Sequence, residues 1–365
     1  MMRRISLIVT AALAALTASA GTRWVSADSL PLLGKCVDPT STSYRYQRIP
    51  DSLEHKVKRP DLFRLGRNSA GMAIRFATDA PAISLKWKST QRNLMNHMTP
   101  TGTRGLDLYT LLPDSTWTFV QSGRPDPTKA VTETCVIKNM TPEQREYMLY
   151  LSLYDGVDSL FIGVPDGYTI SVPAVPLPRA EKPIIYYGTS LTQGGCANRP
   201  GMVHTNIIGR RLNRDVVNLG FSGNGQLDLE IADVMAAVHD PALYVLDFLP
   251  NVNNQQLDTL FIPFVDILRN AHPTVPILVI EDPDYPYKRF DCTAQARVES
   301  RRELLKQIMD RLLAADPNVY FLPSPGLIGD DGEPSVDGLH FTDIGFTRYA
   351  DNILPTIIQI LNPNE

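Results

Sequence analysis

The hydrophobic pattern of the chain changes near residue 180, and this change constrains the fold more than any other feature. Before it, short runs alternate apolar and polar residues and are separated by Pro and Gly. Such runs occupy residues 71–77, 82–87, 106–111 and 159–164. A period of two is typical of half-buried strands. Because no helical pattern separates these runs, they predict an antiparallel β-sandwich or jelly roll.

After residue 180, strand patterns alternate with helical patterns. Short apolar strands are predicted over 184–187, 216–218, 243–248, 277–281 and 319–322. Helices are predicted between and after them, over roughly 202–212, 227–238, 255–271, 294–315 and 345–361. Strands that are apolar throughout indicate a sheet covered on both faces. Five such strand–helix units predict an α/β fold with a doubly wound parallel sheet.

A Pro-rich segment, Val172-Pro-Ala-Val-Pro-Leu-Pro178, separates the two patterns. It is incompatible with a helix and should be stiff. We therefore predict an N-terminal β-sandwich domain over 28–178 and an α/β domain over 183–365. Since the connector is short, we expect the two domains to pack together and the β domain to form one wall of the site.

The first twenty residues have the pattern of a cleavable signal peptide. Arg3 and Arg4 precede an apolar run over 5–15, and Ala18-Ser19-Ala20 resembles a cleavage site. The apolar run is shorter than the roughly 20 residues that span a bilayer. The pattern predicts a secreted or periplasmic protein with no integral membrane segment after cleavage. A buried N-terminal helix is the alternative.

Charge and cysteine content narrow the possible partners. The net charge of -4 gives no support for a nucleic-acid partner, which would require a basic surface. The four cysteines show no CxxC spacing and the six histidines no HExxH motif, so we predict no metal site. Export permits disulfides, and four cysteines allow three pairings. We expect at least one oxidised pair and no catalytic thiol.

Polar clusters follow the first three predicted strands of the α/β domain, where doubly wound sheets place their sites. Ser190 follows the first strand, Gly223 the second and Asn251 the third. Each has a structural alternative. Ser190 is also suited to a helix N-cap, Gly223 to a tight turn, and Asn251 to a turn or helix start.

A fourth cluster, Asp337-Gly-Leu-His340, precedes the last predicted helix. An Asp three residues before a His, on a local turn, can hydrogen-bond the imidazole and fix its tautomer. An Asn near the same sheet edge, such as Asn251, can donate to an oxyanion. The alternative for His340 is a structural histidine near a helix start.

The order of these clusters resembles the SGNH (GDSL-like) hydrolase family over residues 183–365. The resemblance implies a flavodoxin-like hydrolase fold and no cofactor. It also implies a Ser190, His340 and Asp337 triad, with Ser190, Gly223 and Asn251 around the oxyanion. Two motifs depart from the family pattern. The usual GDS is Gly188-Thr189-Ser190, and the usual GxND is Leu249-Pro250-Asn251-Val252.

The N-terminal half adds a second resemblance. Gly105-Leu106-Asp107-Leu108-Tyr109 looks like the GxDLY motif of a β domain that precedes one branch of the family. The resemblance assigns this motif no catalytic role, and a strand with a buried Asp or Tyr is its structural alternative. In the loop after Gly194, Arg199 is a candidate substrate-binding residue, with an ordinary surface cation as the alternative.

Together with the predicted signal peptide, these resemblances imply a secreted serine esterase that removes short acyl groups, acetyl first among them, from a carbohydrate. The carbohydrate assignment follows from the analogy of a β-sandwich next to this hydrolase domain. Two alternatives remain open: a lipase or phospholipase-type acylhydrolase, and a non-catalytic glycan-binding protein on an esterase scaffold.

Overall fold

A computed structural model of the chain describes residues 21–176 and 182–362. The predicted signal peptide over 1–20 lies outside the described residues, and so does the end of the Pro-rich connector. Among the helices of the described segments, none is both long enough and apolar enough to cross a membrane.

Antiparallel strands build the described part of the N-terminal half. They are β1 (Thr22–Ser26), β2 (Leu32–Leu33), β3 (Ala73–Thr78), β4 (Ile83–Ser89), β5 (Leu106–Leu111), β6 (Trp117–Gly123), β7 (Val131–Ile137), β8 (Arg145–Tyr150) and β9 (Val157–Pro165). Two short helices interrupt them, α1 (Pro60–Gly66) and α2 (Pro100–Arg104). One sheet has the order β1-β9-β4-β7 and the other β2-β3-β8-β5-β6.

The two sheets pack face to face over a shared apolar core. Leu85 and Trp87 of β4 and Phe76 of β3 are buried in that core, together with residues of β5, β8 and β9. Along β4 the buried residues alternate with more exposed ones, which is the period of two seen in the sequence. The fold of this half is therefore the predicted β-sandwich. Its first strand, β1, precedes the predicted domain start at residue 28.

The C-terminal half is a parallel sheet with helices on both faces. Its strands are β10 (Ile184–Gly188), β11 (Val216–Gly220), β12 (Leu243–Asp247), β13 (Ile277–Ile280) and β14 (Val319–Leu322). Its helices are α3 (Ser190–Gln193), α4 (His204–Leu212), α5 (Leu229–Ala236), α6 (Asn254–Ala271), α7 (Cys292–Ala315) and α8 (Asp343–Leu361). The strand order β11-β10-β12-β13-β14 is that of a doubly wound, flavodoxin-like sheet. The fold class predicted from the sequence is confirmed.

The N-terminal and C-terminal halves contribute side chains to one common apolar core. Residues from the segment around α1, among them Ile49, Leu53 and Phe63, belong to the same buried cluster as Leu219 and Phe221 of the α/β domain. This cluster covers one face of the parallel sheet, and a second cluster covers the other. The β domain therefore packs directly beside the end of β11, close to the edge where a site is expected.

The cysteines do not form the disulfide that export led us to expect. Cys36, Cys135, Cys196 and Cys292 all carry free thiols. They lie in four separate parts of the fold, and only Cys196 is buried. The expectation was wrong because a cysteine count does not report whether two Cβ atoms lie within the roughly 4 Å that a disulfide requires.

Candidate active site

Ser190 is the first residue of α3, directly after the turn that ends β10. The N-cap of this helix is Thr189, whose side-chain oxygen accepts from the Leu191 amide at 3.3 Å. The helix N-cap that the sequence offered as an alternative role for Ser190 is therefore Thr189, the residue in place of the usual Asp. The Ser190 hydroxyl is left free for another partner. Gly188 is required at this turn, because a Cβ there would lie 2.0 Å from the Thr192 hydroxyl oxygen.

The partner of Ser190 is His340. The Nε2 atom of His340 lies 3.0 Å from the Ser190 Oγ atom, across 150 residues of sequence. On the other side of the ring, Nδ1 lies 2.7 Å from Oδ2 of Asp337. The structure thus brings together the three residues that the sequence singled out as nucleophile, base and acid. The contacts form a continuous chain from carboxylate through imidazole to hydroxyl.

Asp337 is held by its own turn. Its Oδ1 accepts from the amides of Leu339, at 3.0 Å, and His340, at 2.8 Å. Partial burial disfavours the charged carboxylate, but the hydrogen bonds from the His340 ring and from these two amides hold its pKa below the usual range. Asp337 therefore stays ionised at neutral pH and stabilises a positive charge on His340.

The loops that carry Gly223 and Asn251 are hydrogen-bonded to the turn before Ser190. The Phe221 amide donates to the Gly188 carbonyl at 3.0 Å. The Asn251 side-chain amide, at the end of a short 3-10 helix, donates to the Phe221 carbonyl at 3.3 Å. An Asn amide carries two hydrogens, so this bond leaves one for another acceptor. Gly223 has a φ of +66°, a conformation that favours glycine, and a Cβ there would meet no atom within 4 Å.

The β domain also reaches this site, through residues that the sequence did not indicate. The Tyr154 hydroxyl, just after β8, donates to the Ser190 carbonyl at 3.4 Å. The His97 ring, between β4 and α2, lies 5.6 Å from the His340 ring, measured between centroids. Gly195 lies between the His340 ring and the Tyr154 hydroxyl. A Cβ at this position would lie 3.1 Å from the ring and 2.8 Å from the hydroxyl oxygen. No periodicity or motif marks such contacts between distant segments.

Cys196 lies beside this cluster as a buried neutral thiol. Burial, together with the nearby Asp337 carboxylate, raises the pKa of Cys196 to about 12. This is consistent with the expectation that the thiols are not nucleophiles. Ligating atoms of His97, Cys196, Asp337 and His340 all lie within 4.8 Å of one another. The sequence predicted no metal site because these residues come from three separate segments rather than from one spaced motif.

Arg199 forms contacts with the GxDLY strand. Its Nη1 atom donates to Oδ2 of Asp107 at 2.9 Å and to the Tyr109 hydroxyl at 2.6 Å. Its guanidinium carbon also lies 3.8 Å from the centroid of the Phe119 ring. The buried Asp107 further accepts from the Gly201 amide at 2.8 Å. The motif therefore links the β domain to the loop after α3, and a role of Arg199 in substrate binding stays a prediction.

A second buried charge of the β domain holds the end of β11. Arg48 donates from Nη1 to the carbonyls of Asn218, at 3.1 Å, and Gly220, at 2.7 Å. Its guanidinium also lies 4.9 Å from the Phe221 ring centroid. Complete burial lowers the pKa of Arg48 to about 9. Arg48 thus fixes the strand end from which the Gly223 loop departs.

Comparison with known proteins follows the same division of the chain. The profile of the GDSL-like lipase/acylhydrolase family matches residues 181–358, and that of the N-terminus of SGNH-hydrolase-type esterases, with the GxDLY motif, matches residues 22–170. A solved structure from Bacteroides ovatus, described as a GDSL-like lipase, is 33% identical. The match covers 94% of this chain and 98% of that one, with a TM-score of 0.86. The chain belongs to the GDSL-like lipase/acylhydrolase family.

More distant members of this fold include two enzymes. A salicylyl-acyltransferase from a tetracycline biosynthetic pathway is 16% identical, with a TM-score of 0.72, over 93% of this chain and 99% of that one. A family two carbohydrate esterase from Cellvibrio japonicus is 14% identical, with a TM-score of 0.54, over 95% and 100%. At these identities the likeness concerns the fold. No curated protein sequence matches the chain. As a GDSL-like hydrolase, the protein is an esterase or acylhydrolase.

Proposed function

We propose that this GDSL-like hydrolase is a secreted or periplasmic serine esterase that removes short acyl groups, mainly acetyl, from a carbohydrate. The observation that carries the catalytic part is the chain of contacts at 2.7 Å and 3.0 Å from Asp337 through His340 to Ser190. These distances lie within hydrogen-bond reach, as a nucleophile and its base require.

The proposed reaction proceeds in two displacements. As the Ser190 oxygen attacks the ester carbonyl carbon, Nε2 of His340 accepts the hydroxyl proton, and a tetrahedral oxyanion forms. The oxyanion collapses, the bond to the alcohol breaks, and His340 passes its proton to the leaving alcohol oxygen. Water then attacks the acyl-enzyme with His340 again as base, releasing the carboxylic acid and restoring Ser190. Asp337 holds the ring with Nδ1 protonated throughout.

Three donors are available for the oxyanion. The Ser190 amide opens a helix and has no acceptor within that helix. The Gly223 amide lies in the exposed loop after β11, and Asn251 retains one unused side-chain hydrogen. These loops are tied to one another through Gly188 and Phe221. Preorganised donors of this kind stabilise the developing charge more than any other single contribution.

Three observations support the carbohydrate part of the proposal. The β domain contacts the backbone of Ser190 through Tyr154, so a substrate at the site lies close to both domains. The predicted leader sequence supports a substrate outside the cytoplasm. The fold of the family two carbohydrate esterase matches that of this chain over 95% of its length. A lipase would instead be expected to prefer long acyl chains.

The nucleophile is tested by Ser190→Ala, with Ser222→Ala, a serine in the neighbouring loop, as the matched control. We expect Ser190→Ala to stay folded and to lose hydrolysis of p-nitrophenyl acetate and labelling by a fluorophosphonate probe. Ser222→Ala should keep both. Labelling that persists in Ser190→Ala would refute the assignment.

The substrate is tested with p-nitrophenyl esters of increasing acyl length and with acetate release from a panel of acetylated polysaccharides. A steep fall in rate with chain length and acetate release from one polymer support the proposal. A rise in rate with chain length would favour the lipase alternative. A wild-type protein that hydrolyses no ester would favour the glycan-binding alternative.

A further inference from the structure

Two side chains at the active site take no part in the proposed relay. His97 comes from the β domain, and Cys196 from the loop after α3. Together with Asp337 and His340 they place four metal-binding atoms, one from each residue, within 4.8 Å of one another. Cys196 is 4% exposed, and His97 is half-buried. The cluster is therefore closed on the Cys196 side and accessible from the His97 side.

The donor set selects for a particular class of metal ion. Two imidazoles, one thiol and one carboxylate are the ligands that Zn²⁺ prefers, whereas Mg²⁺ and Ca²⁺ prefer oxygen ligands alone. Tetrahedral Zn²⁺ with bonds of 2.0–2.3 Å separates its ligand atoms by about 3.3–3.8 Å. To reach this geometry, ligand atoms at the 4.8 Å limit approach one another by about 1 Å, and Asp337 Oδ2 and His340 Nδ1, now 2.7 Å apart, move apart if both bind the ion. His97, on a loop between β4 and α2, is the ligand best placed to move.

We propose that His97, Cys196, Asp337 and His340 form an inhibitory Zn²⁺ site. On binding, the thiol of Cys196 loses its proton to solvent and coordinates as the thiolate. The inhibitory effect rests on the proposed function, because it follows from the use of His340. If the metal occupies Nε2, no lone pair remains to accept the Ser190 proton. If it occupies Nδ1, the ring proton moves to Nε2, so the hydrogen bond to Asp337 is lost and Nε2 has no lone pair for the Ser190 proton. Either mode interrupts the relay.

The site is tested first by inhibition. In a buffer that does not bind metals, ZnCl₂ should inhibit p-nitrophenyl acetate hydrolysis reversibly, with recovery on adding EDTA, while MgCl₂ should have no effect. Cys196→Ser and His97→Gln should keep basal activity and raise the inhibitory Zn²⁺ concentration by at least about tenfold, since even outer partners of a metal site change affinity by about 10–100-fold. His97→Gln, on a half-buried loop, preserves the test if Cys196→Ser fails to fold.

Cys135→Ser and Cys292→Ser are the matched controls, because both thiols are exposed and remote from the cluster in sequence. They should be inhibited by Zn²⁺ as strongly as the wild type. Equal inhibition of the wild type and of both Cys196→Ser and His97→Gln would overturn the proposal, since the metal would then act elsewhere.

A second measurement does not depend on activity. Titration of Ser190→Ala with Co²⁺ should give a thiolate-to-cobalt charge-transfer absorption in the near ultraviolet. The band should vanish when Cys196→Ser is added to that variant, but not when Cys292→Ser is added. Absence of the band would overturn the site. A Cys196-dependent band in a protein whose wild type hydrolyses no ester would support the site and refute the proposed function.

Discussion

The two domains meet at the active site in different ways. The α/β domain supplies Ser190 from the start of α3 and Asp337 and His340 from the loop before α8, and the side chains of Asp337 and His340 remain partly open to solvent. The β domain supplies Arg48 and Asp107, which are buried and bind backbone groups of the other domain. One region carries the proposed reactive groups at the ends of its strands and in the loops that follow, whereas the other holds these segments in place.

This difference has a physical basis. A group that reacts must reach substrate, so it lies where the strands end and the backbone is free to turn. A group that fixes geometry is most effective when water cannot compete for its hydrogen bonds. Substitutions of the proposed reactive groups should therefore chiefly lower activity, whereas substitutions of the buried groups that hold them should chiefly lower stability.

The largest expected effect is on activity, at Asn251. Asn251→Ala removes a proposed oxyanion donor, and loss of one such donor typically costs about 10²–10³ in kcat. Its half-buried bond to the Phe221 carbonyl contributes only about 1 kcal/mol to stability, so the melting temperature should change little. Kinetics and thermal unfolding measure both quantities.

Asn253→Ala is the matched control for Asn251→Ala. Asn253 lies two residues further on and caps α6, with its side chain accepting from the Gln256 amide at 2.8 Å. Loss of the cap should cost about 1 kcal/mol of stability and leave kcat unchanged. A fall in kcat of less than about threefold in Asn251→Ala would mean that the altered GxND loop no longer serves the oxyanion.

The next effect is on stability, at Arg48. Arg48→Met should lower the free energy of unfolding by about 2–3 kcal/mol, because buried carbonyls of both domains lose their donor: those of Leu65 and Asn68 in the β domain and those of Asn218 and Gly220 in the α/β domain. It should also lower kcat more than it changes KM, since the loop after β11 is no longer fixed. Urea unfolding and steady-state kinetics test the two effects.

Arg67→Met is the control for Arg48→Met, because Arg67 is a half-buried arginine whose guanidinium lies 4.7 Å from the Tyr44 ring centroid. It should cost less than about 1 kcal/mol. If the two variants are equally stable, Arg48 does not hold the two domains together. This result would contradict the holding role that we assign to the buried groups of the β domain.

The smallest effects at pH 5 are expected from two buried aspartates, one in each domain. Asp107→Asn weakens the ion pair with the partly exposed Arg199 and should cost about 1–2 kcal/mol of stability.

Asp247, at the end of β12, accepts one long hydrogen bond, from the Thr192 hydroxyl at 3.4 Å. Complete burial raises the pKa of Asp247 to about 7. The folded protein therefore keeps Asp247 neutral at pH 5, and Asp247→Asn should be nearly neutral there.

Raising the pH should separate the two aspartate variants. An unfolded Asp ionises near pH 3.9, whereas folded Asp247 keeps its proton up to about pH 7. Between these values the unfolding free energy of the wild type falls by at most about 1.4 kcal/mol per pH unit from this group. Asp247→Asn removes that slope, so it should gain stability relative to the wild type from pH 5 to pH 8. Urea unfolding of both proteins at pH 5 and pH 8 measures this gain. A stability difference that is the same at the two pH values would contradict the raised pKa of Asp247.

Local patterns predicted the secondary structure well. The helix predicted over 345–361 runs over Asp343–Leu361, and the strand predicted over 216–218 runs over Val216–Gly220. The order of clusters also pointed to Ser190, Asp337 and His340, which the structure brings together. These predictions succeed because hydrophobic period and strand ends are local properties, and a doubly wound sheet brings the ends of its parallel strands to one edge.

Contacts between distant segments were not predictable in this way. Nothing near Arg48 indicates that it binds carbonyls about 170 residues later. His97 and Cys196 belong to no spaced motif, so the metal-binding cluster was missed. The disulfide expectation failed for the same reason, since cysteine number carries no information on proximity.

The sequence by itself determined the two fold classes and their order along the chain, because both follow from hydrophobic periodicity. The family came from the resemblance of its motifs. Only the tertiary structure decided which groups of the β domain meet the α/β loops. It assigned the GxDLY aspartate to the link with Arg199 and Gly201, and it placed His97 beside His340. Such contacts depend on how two apolar cores pack against each other, and that packing is a property of the whole chain rather than of any one segment.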